Sequence, residues 1–312
     1  MIELVVSQDY SGSRLDRFLT KNTDLPHGAL QRLIRKGDVK LNGKKANANS
    51  SVTAGDIIRI YAADVKGRSV EFMEGLPLPE VIYEDDFILA VNKPPLLASQ
   101  PNERGGDCLS ERIKLYLKDI VISSGGSYVP GVINRLDMNT SGIVLCAKTP
   151  KAARELSALI AEGKIQREYI AIVKGELTKT IKAIHYALPD EAHNKMLLSD
   201  SPSENSQRME SVFAPIKSAG GYTAVKAMLI TGKKHQIRAQ LAQLGYPVVG
   251  DMKYGVSGIE LGMKRQALHC YMLGLTLWYD SSRLKLVCDL PRDMGEGLRR
   301  CGVGEVGVVG VG

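Results

Sequence analysis

Cysteine is scarce in this sequence and poorly placed for a structural role. The 312 residues hold five, Cys108, Cys146, Cys270, Cys288 and Cys301. Their number is odd, and no two are close enough to form a metal knuckle. A disulfide framework and a zinc site are therefore not expected, and a reducing cytoplasm is the natural compartment. No run of about 18 apolar residues occurs, so no membrane span is expected. The opening MIELVVSQDY has no basic region followed by a long apolar stretch, which argues against a secretory signal. There is no phosphate-binding glycine loop and no metal-ligand cluster. A glycosidase would need paired carboxylates, and none are evident. A composition of 44% hydrophobic and 24% charged residues excludes a disordered chain.

The charge that is present is concentrated. The chain carries +7 overall. Residues 12–61 hold ten Lys/Arg against four acids, so nearly all the excess lies in a sixth of the chain. Clustering of this kind suggests a polyanionic partner. Within this region Leu15, Phe18 and Leu19 form one helical face, and Arg14, Arg17 and Lys21 the other. A second helix starts near Gly28, with Leu30, Leu33 and Ile34 inward and Arg32, Arg35 and Lys36 outward; Gly37 stops it. VKLNGKKA then reads as a hairpin turning at Asn42-Gly43, with Lys40 and Lys44 on it. IIRIY (57–61) is a further strand. By pattern alone the basic face fits either a solvated helix surface or a docking surface.

A chain of this length exceeds what one core comfortably holds, about 250–300 residues, so two domains are expected. Residues 1–62 form the small αα–β unit, 63–79 a linker, and 80–299 a larger domain. The Gly/Val-rich tail 300–312 is expected to be disordered. In the larger domain, strands are expected at 87–91, 142–147, 168–173, 223–230, 268–277 and 284–288, and helices at 107–118, 150–162 and 234–244. Strands outnumber helices without strict βαβ alternation, which predicts an α+β fold with a mixed or antiparallel sheet. In GVINRLDMNTSGIVLCAKT (131–149), Asp137 sits in a polar loop between two apolar strands. That placement fits a catalytic carboxylate held at a sheet edge, and equally a turn aspartate. Arg-Leu-Asp also occurs at 14–16, inside a helix, so the tripeptide alone decides nothing. Gly250-Asp251 and Tyr254-Gly255 read as turn chemistry.

Longer motifs carry a resemblance. SRLDRFL, LQRLIRKGDVKLNGK and AGDIIRI together resemble the S4 RNA-binding domain. RLDMNTSGIVL resembles the signature of the RluA family of pseudouridine synthases. YEDDFILAVNKPPLLASQP, REYIAIVKGEL, TGKKHQIRAQLAQLGYPVVGDMKYG and LHCYMLGLTL resemble that family's further segments in the same order. The usual His before Arg-Leu-Asp is Asn134 here, and Lys233 and Gln240 replace a frequent Arg and His.

The resemblance implies a cofactor-free isomerase that converts uridine to pseudouridine in structured RNA, most naturally large-subunit ribosomal RNA. A transfer-RNA uridine and a non-catalytic RNA-binding or assembly role are the alternatives. A monomer with no membrane partner is expected. Asp137 would be the nucleophile or general acid/base at the N-glycosidic bond, where positive charge develops on the sugar. Arg238 would pair with it and keep it ionised. Tyr169 would stack on the extruded uracil and be placed to handle a proton. Arg135 would fill the space left by the base or grip the backbone. Asn134, Lys93 and His235 would be RNA contacts, as would Arg14, Arg17, Arg32, Arg35, Lys36, Lys40 and Lys44 on the S4-like face.

Overall fold

The computed structural model describes residues 1–62, 70–102, 105–124, 128–255 and 258–304. The N-terminal residues form β1 (Ile2–Val5), α1 (Leu15–Asn22), α2 (His27–Lys36), β2 (Val39–Leu41), β3 (Lys44–Lys45) and β4 (Ile57–Ile60). The strands make an antiparallel sheet in the order β1-β4-β2-β3. Asn42 and Gly43 both take positive φ between β2 and β3, the geometry of a two-residue hairpin turn. Leu15, Phe18, Leu19, Leu30 and Ile34 meet Val39, Ile58 and Ile60 in a core of their own. Each helix thus buries its apolar stripe on the sheet and leaves its cations outside.

The larger sheet is built from β5 (Glu80–Glu84), β6 (Ile88–Lys93), β7 (Gly131–Val132), β8 (Ser141–Ala147), β9 (Gln166–Lys174), β10 (Ile181–Asp190), β11 (Lys195–Ser199), β12 (Gln207–Ala219), β13 (Tyr222–Leu229), β14 (Leu268–Thr276) and β15 (Arg283–Val287). Its path is β11-β10-β12-β13-β9-β14-β8-β6-β5, with β15 beside β14 and β7 beside β8. The β14–β8 pair is parallel and the other pairs are antiparallel. The structure is therefore a mixed α+β fold around one large mixed sheet. The helices are α3 (Leu109–Tyr116), α4 (Lys118–Ser123), α5 (Pro150–Ala161), α6 (Gln236–Gln243) and α7 (Arg292–Arg300). Helix α5 packs on β8 and α7 on β9. None of the helices among the described residues is long and apolar enough to cross a membrane.

The centre of the sheet explains its most apolar segments. Every residue of β8 is buried, as are all of β14 but its last and all of β9 but its two ends. Strands covered on both faces read as continuous apolar runs. Gly142 sits opposite Cys270 in the parallel contact: its φ is +117°, and a Cβ there would collide with the backbone of Cys270.

Strands β5, β10, β11 and β12 and helices α4 and α7 were not expected. In β10 the inward residues are Ala183, His185 and Ala187, and in β12 Glu210 and Ser211 are buried. Buried small and polar residues erase the period-two signal. Helix α7 contains Gly295 and Gly297 and is highly charged, so propensity argues against it; it forms because Met294, Gly297 and Leu298 are buried on the sheet. The tail expectation also needs correcting at its start. Cys301 and Val303 are buried, and the amides of Val303 and Gly304 donate to Leu298 O. Residues 305–312 lie outside the described residues, as do 63–69 of the expected linker. Its remainder holds no helix or strand before Glu80, and Lys118 pairs there with Glu74 and lies over the Phe72 ring.

Candidate active site

The loop between β7 and β8 is pinned along its length. The Asn134 side chain bridges to β8, accepting from Leu145 N (2.7 Å) and donating to Ile143 O (3.2 Å). Ser99 Oγ donates to Leu136 O and accepts from Leu136 N. Met138 O accepts from Lys93 Nζ, and Asn139 O from Arg265 Nη1. Thr140 Oγ1 accepts from Gln266 Nε2, and Ser141 Oγ is 2.9 Å from His269 Nδ1. Asp137 O accepts from Thr140 N, and Arg135 Nη1 lies 3.5 Å from Gln100 Oε1; both side chains line a cleft of about 640 Å³. The carboxylate is thus presented on a rigid support.

Arg238 reaches Asp137 from α6. Its Nη1 donates to Asp137 Oδ2 at 2.7 Å. Its Nε and Nη2 form a two-pronged pair with Asp251, at 2.6 and 2.8 Å. Asp251 is held in turn by the amides of Lys253 and Tyr254. Arg238 is 6% exposed and Asp251 1%. Burial pushes the Arg238 pKa down, but the hydrogen bond and charge of Asp251, with Asp137, outweigh it and hold it above its ordinary value. Burial raises the Asp251 carboxyl, and Arg238 more than reverses that, leaving it below the usual range. Tyr254 lies 5.3 Å from the Arg238 guanidinium carbon and hydrogen-bonds His235 Nδ1 at 3.0 Å. One guanidinium therefore ties the Asp137 carboxylate to a buried anchor.

Helix α6 is seated by amides. Gln236 Oε1 accepts from Thr231 Oγ1 and Lys233 N, while its Nε2 donates to Glu210 O and Ser211 Oγ. Gln240 accepts from Ser211 Oγ and lies 3.1 Å from His185 Nδ1. Gln240 is fully buried, so its departure from the frequent His alters core packing and not an RNA contact.

Tyr169 lines the same cleft and is 6% exposed. Burial drives its hydroxyl pKa well above the ordinary value, with the Cys270 thiol adding to the rise. The hydroxyl stays protonated at neutral pH, which suits a neutral aromatic surface and not a proton acceptor.

The structure brings Asp137, Tyr169, Arg238, Arg135 and His235 into one cleft. Asn134 lines the cleft as well, and of the expected RNA contacts Lys93 is corrected. Asn134 is 8% exposed and serves as the loop's bridge to β8. Lys93 is fully buried, and its ammonium donates to Pro94 O, Leu97 O and Met138 O. Three donors meet three carbonyls, an internal tie with nothing left for RNA. Burial, aided by Arg265 and opposed by Asp137, lowers Lys93 to about 7. His235 is pushed down to about 4 by burial, against the pull of Asp137, so it is neutral at pH 7. Asp251, read as a turn residue, is the anchor of Arg238. Its pairing crosses a turn at no helical or strand spacing, so local pattern carries no sign of it.

Arg14 and Arg17 line a second cleft, of about 980 Å³, between α1 and α5. Arg154 of α5 lines it too and donates to Asp9 O. Arg32, Arg35, Lys36 and Lys44 are exposed on α2 and the hairpin, and Lys40 is half-buried over the Tyr61 ring. Arg14 forms an ion pair with Asp16, which makes the second Arg-Leu-Asp a local helix-start contact. Among the described residues no group of three His, Cys, Asp or Glu is placed to hold a metal ion.

The sequence pattern of the RNA pseudouridylate synthase family matches residues 87–243, a span that includes Asp137, Tyr169 and Arg238 and stops short of Asp251. The ribosomal large subunit pseudouridine synthase C of Vibrio vulnificus (strain CMCP6) is 30% identical over 284 residues, 87% of each chain. Its counterpart in Escherichia coli (strain K12) is 29% identical over 318 residues, 96% of this chain and 94% of the other. Human RNA Pseudouridylate Synthase Domain Containing 4 superposes with a TM-score of 0.57 at 23% identity, covering 72% of this chain and 93% of that one, which shows a shared fold. With half of its length matched by the family pattern, the chain belongs to the RNA pseudouridylate synthase family.

Proposed function

We propose that this pseudouridine synthase acts on a uridine of large-subunit ribosomal RNA, with Asp137 as its reacting carboxylate. The observation that carries the assignment is the Asp137–Arg238–Asp251 chain in a cleft beside Tyr169. The N1–C1′ bond breaks, and its electron pair leaves with the uracil. Asp137 meets the positive charge left on C1′, by covalent attack or as an ion pair. The base turns, C5 bonds to C1′, and the C5 proton passes in net terms to N1, so the step is an isomerisation. Tyr169 gives the extruded base a flat surface, and Arg135, exposed on the cleft rim, contacts the RNA beside it.

Residues 1–62 act in this reading as an S4-like docking unit, 63–79 as a linker and the residues from 80 onward as the catalytic unit. The second cleft supports it, since Arg14 and Arg17 of the first unit and Arg154 of the catalytic one share its walls. Helix α5 connects the clefts: Ile160 lines the first, and Ala153, Arg154 and Ser157 the second. A polyanion laid along α5 reaches both. The relatives' substrate, named for the ribosomal large subunit, favours ribosomal over transfer RNA. Five free, buried cysteines fit a cytoplasmic enzyme.

Pseudouridine mapping of total RNA tests this. Removal of the protein should erase one or more large-subunit positions. Wild-type protein should restore them, and Asp137→Asn should not, although it still binds RNA. Loss confined to transfer RNA overturns the target; restoration by Asp137→Asn overturns the carboxylate assignment.

A further inference from the structure

One buried cation in the cleft stands apart from the others. Arg167 is 8% exposed and lines the cleft with Asp137 and Tyr169. It stands on β9 two residues before Tyr169, so both side chains leave the same face of the strand. Among the described residues its Nε is buried without a hydrogen-bond partner, and the side chain makes no ion pair. The other buried cations near Asp137 are fully engaged: Arg238 by two carboxylates and Lys93 by three carbonyls. A buried charge left uncompensated is costly and is retained where an occupant completes it.

The space around Arg167 is also shaped. Its Nη1 rests against the backbone of Gly232, another residue of the cleft wall, and a Cβ at Gly232 would collide with it. The φ of Gly232 is not in the left-handed region, so backbone conformation does not require a glycine there. The close guanidinium is what a side chain there would displace.

The chemistry at this site, taking Asp137 as the reacting carboxylate as proposed above, separates charge in two directions. Cleavage of N1–C1′ places positive charge on the ribose and a negative charge on the uracil, spread from N1 over O2 and O4. Asp137 answers the first. Tyr169, protonated and neutral, brings no positive charge to the second. We propose that Arg167 binds the oxygen edge of the displaced uracil and stabilises the negative charge it carries until C5 bonds to C1′. Preformed donors aimed at developing charge in a water-poor site are the strongest form of such help. A phosphate is the alternative acceptor, but Lys233, Lys234 and Arg135 are exposed cleft residues better placed for it than the buried Arg167.

The test is single-turnover loss of the N-glycosidic bond by the full-length enzyme on large-subunit ribosomal RNA carrying uridine or 5-fluorouridine at the target position; the fluorinated base has no C5 proton to release, so on it the reaction is followed only as far as C5–C1′ bonding. Fluorine withdraws electrons and makes uracil a better leaving group. Arg167→Gln should slow uridine conversion at saturating RNA by about 10²–10³-fold and leave RNA affinity nearly unchanged. Arg167→Lys should recover part of the rate, and the loss in Arg167→Gln should shrink on 5-fluorouridine. Gly232→Ala, which displaces the guanidinium without removing its charge, should slow conversion in the same sense. A defect in affinity with normal saturated rate would show a phosphate contact and overturn the proposal. An equal defect on both substrates, or none, overturns it too. Wild-type conversion and its loss in Asp137→Asn, measured alongside, show separately whether the carboxylate reading stands.

Discussion

At the scale of single residues, the site depends on how Arg238 divides its donors. Three of its nitrogens go to two carboxylates, and the buried Asp251 takes two of them. The side chain of Asp137 is 27% exposed and that of Asp251 1%. Loss of charge at the two acids should therefore have different consequences. Asp251→Asn leaves a buried guanidinium half compensated and should cost stability toward the low end of about 3–5 kcal/mol. Turnover should fall with it, because Arg238 is no longer held toward Asp137. Asp137→Asn should abolish turnover with little change in the unfolding midpoint. Urea denaturation of both variants beside single-turnover rates checks this; equal stability losses would show that Asp251 is not the anchor.

At the scale of elements, the β7–β8 loop owes its shape to ties from other segments, and Lys93 at the end of β6 is the most deeply buried of them. Its titration makes the tie visible. The folded value is about 7, below the value of ~10.4 for an unfolded lysine. Between these two values the unfolded chain holds a proton that the folded one has released. Stability from this group therefore rises with pH across that window, by up to about 1.4 kcal/mol per pH unit, and is flat below it. Lys93→Met should remove that slope. Denaturation midpoints of wild type and variant at several pH values from 7 to 10 give the difference, and parallel curves would contradict the burial argument. The variant should also turn over more slowly, since Met138 O loses its donor next to Asp137.

At the scale of the whole molecule, the cations of residues 1–62 lie outside a separate small core. If they meet RNA phosphates, binding must release counterions. Replacing Arg17, Arg32 and Arg35 together by Gln should make the slope of log affinity against log salt shallower, by about 0.7–0.9 for each phosphate that is no longer neutralised. The saturated rate should remain that of wild type, because none of the three lines the cleft that holds Asp137. An unchanged slope would show a merely solvated face.

Much of the molecule was legible in the sequence because it is local. Leu15, Phe18 and Leu19 repeat at helical spacing, and most of β8 and β14 and residues 169–173 of β9 are apolar because both faces of the sheet's centre are covered. The ordered motifs around Asp137, Tyr169 and Arg238 marked three residues that meet in one cleft. What stayed hidden is what a one-dimensional pattern does not encode. Strands β10 and β12 bury Ala, His, Glu and Ser, so alternation of polarity does not report them. The Arg238–Asp137 pair, 101 residues apart, was expected only through the family resemblance, and the Arg238–Asp251 pair, 13 apart, was not expected; neither spacing is a repeat of helix or strand. Lys93 and Asn134 look like surface contacts by residue type, and only the packed loop turns their polar groups inward. Composition and periodicity determine which segments seek a core and where charge is exposed; which buried polar groups satisfy one another is decided when distant segments close on them.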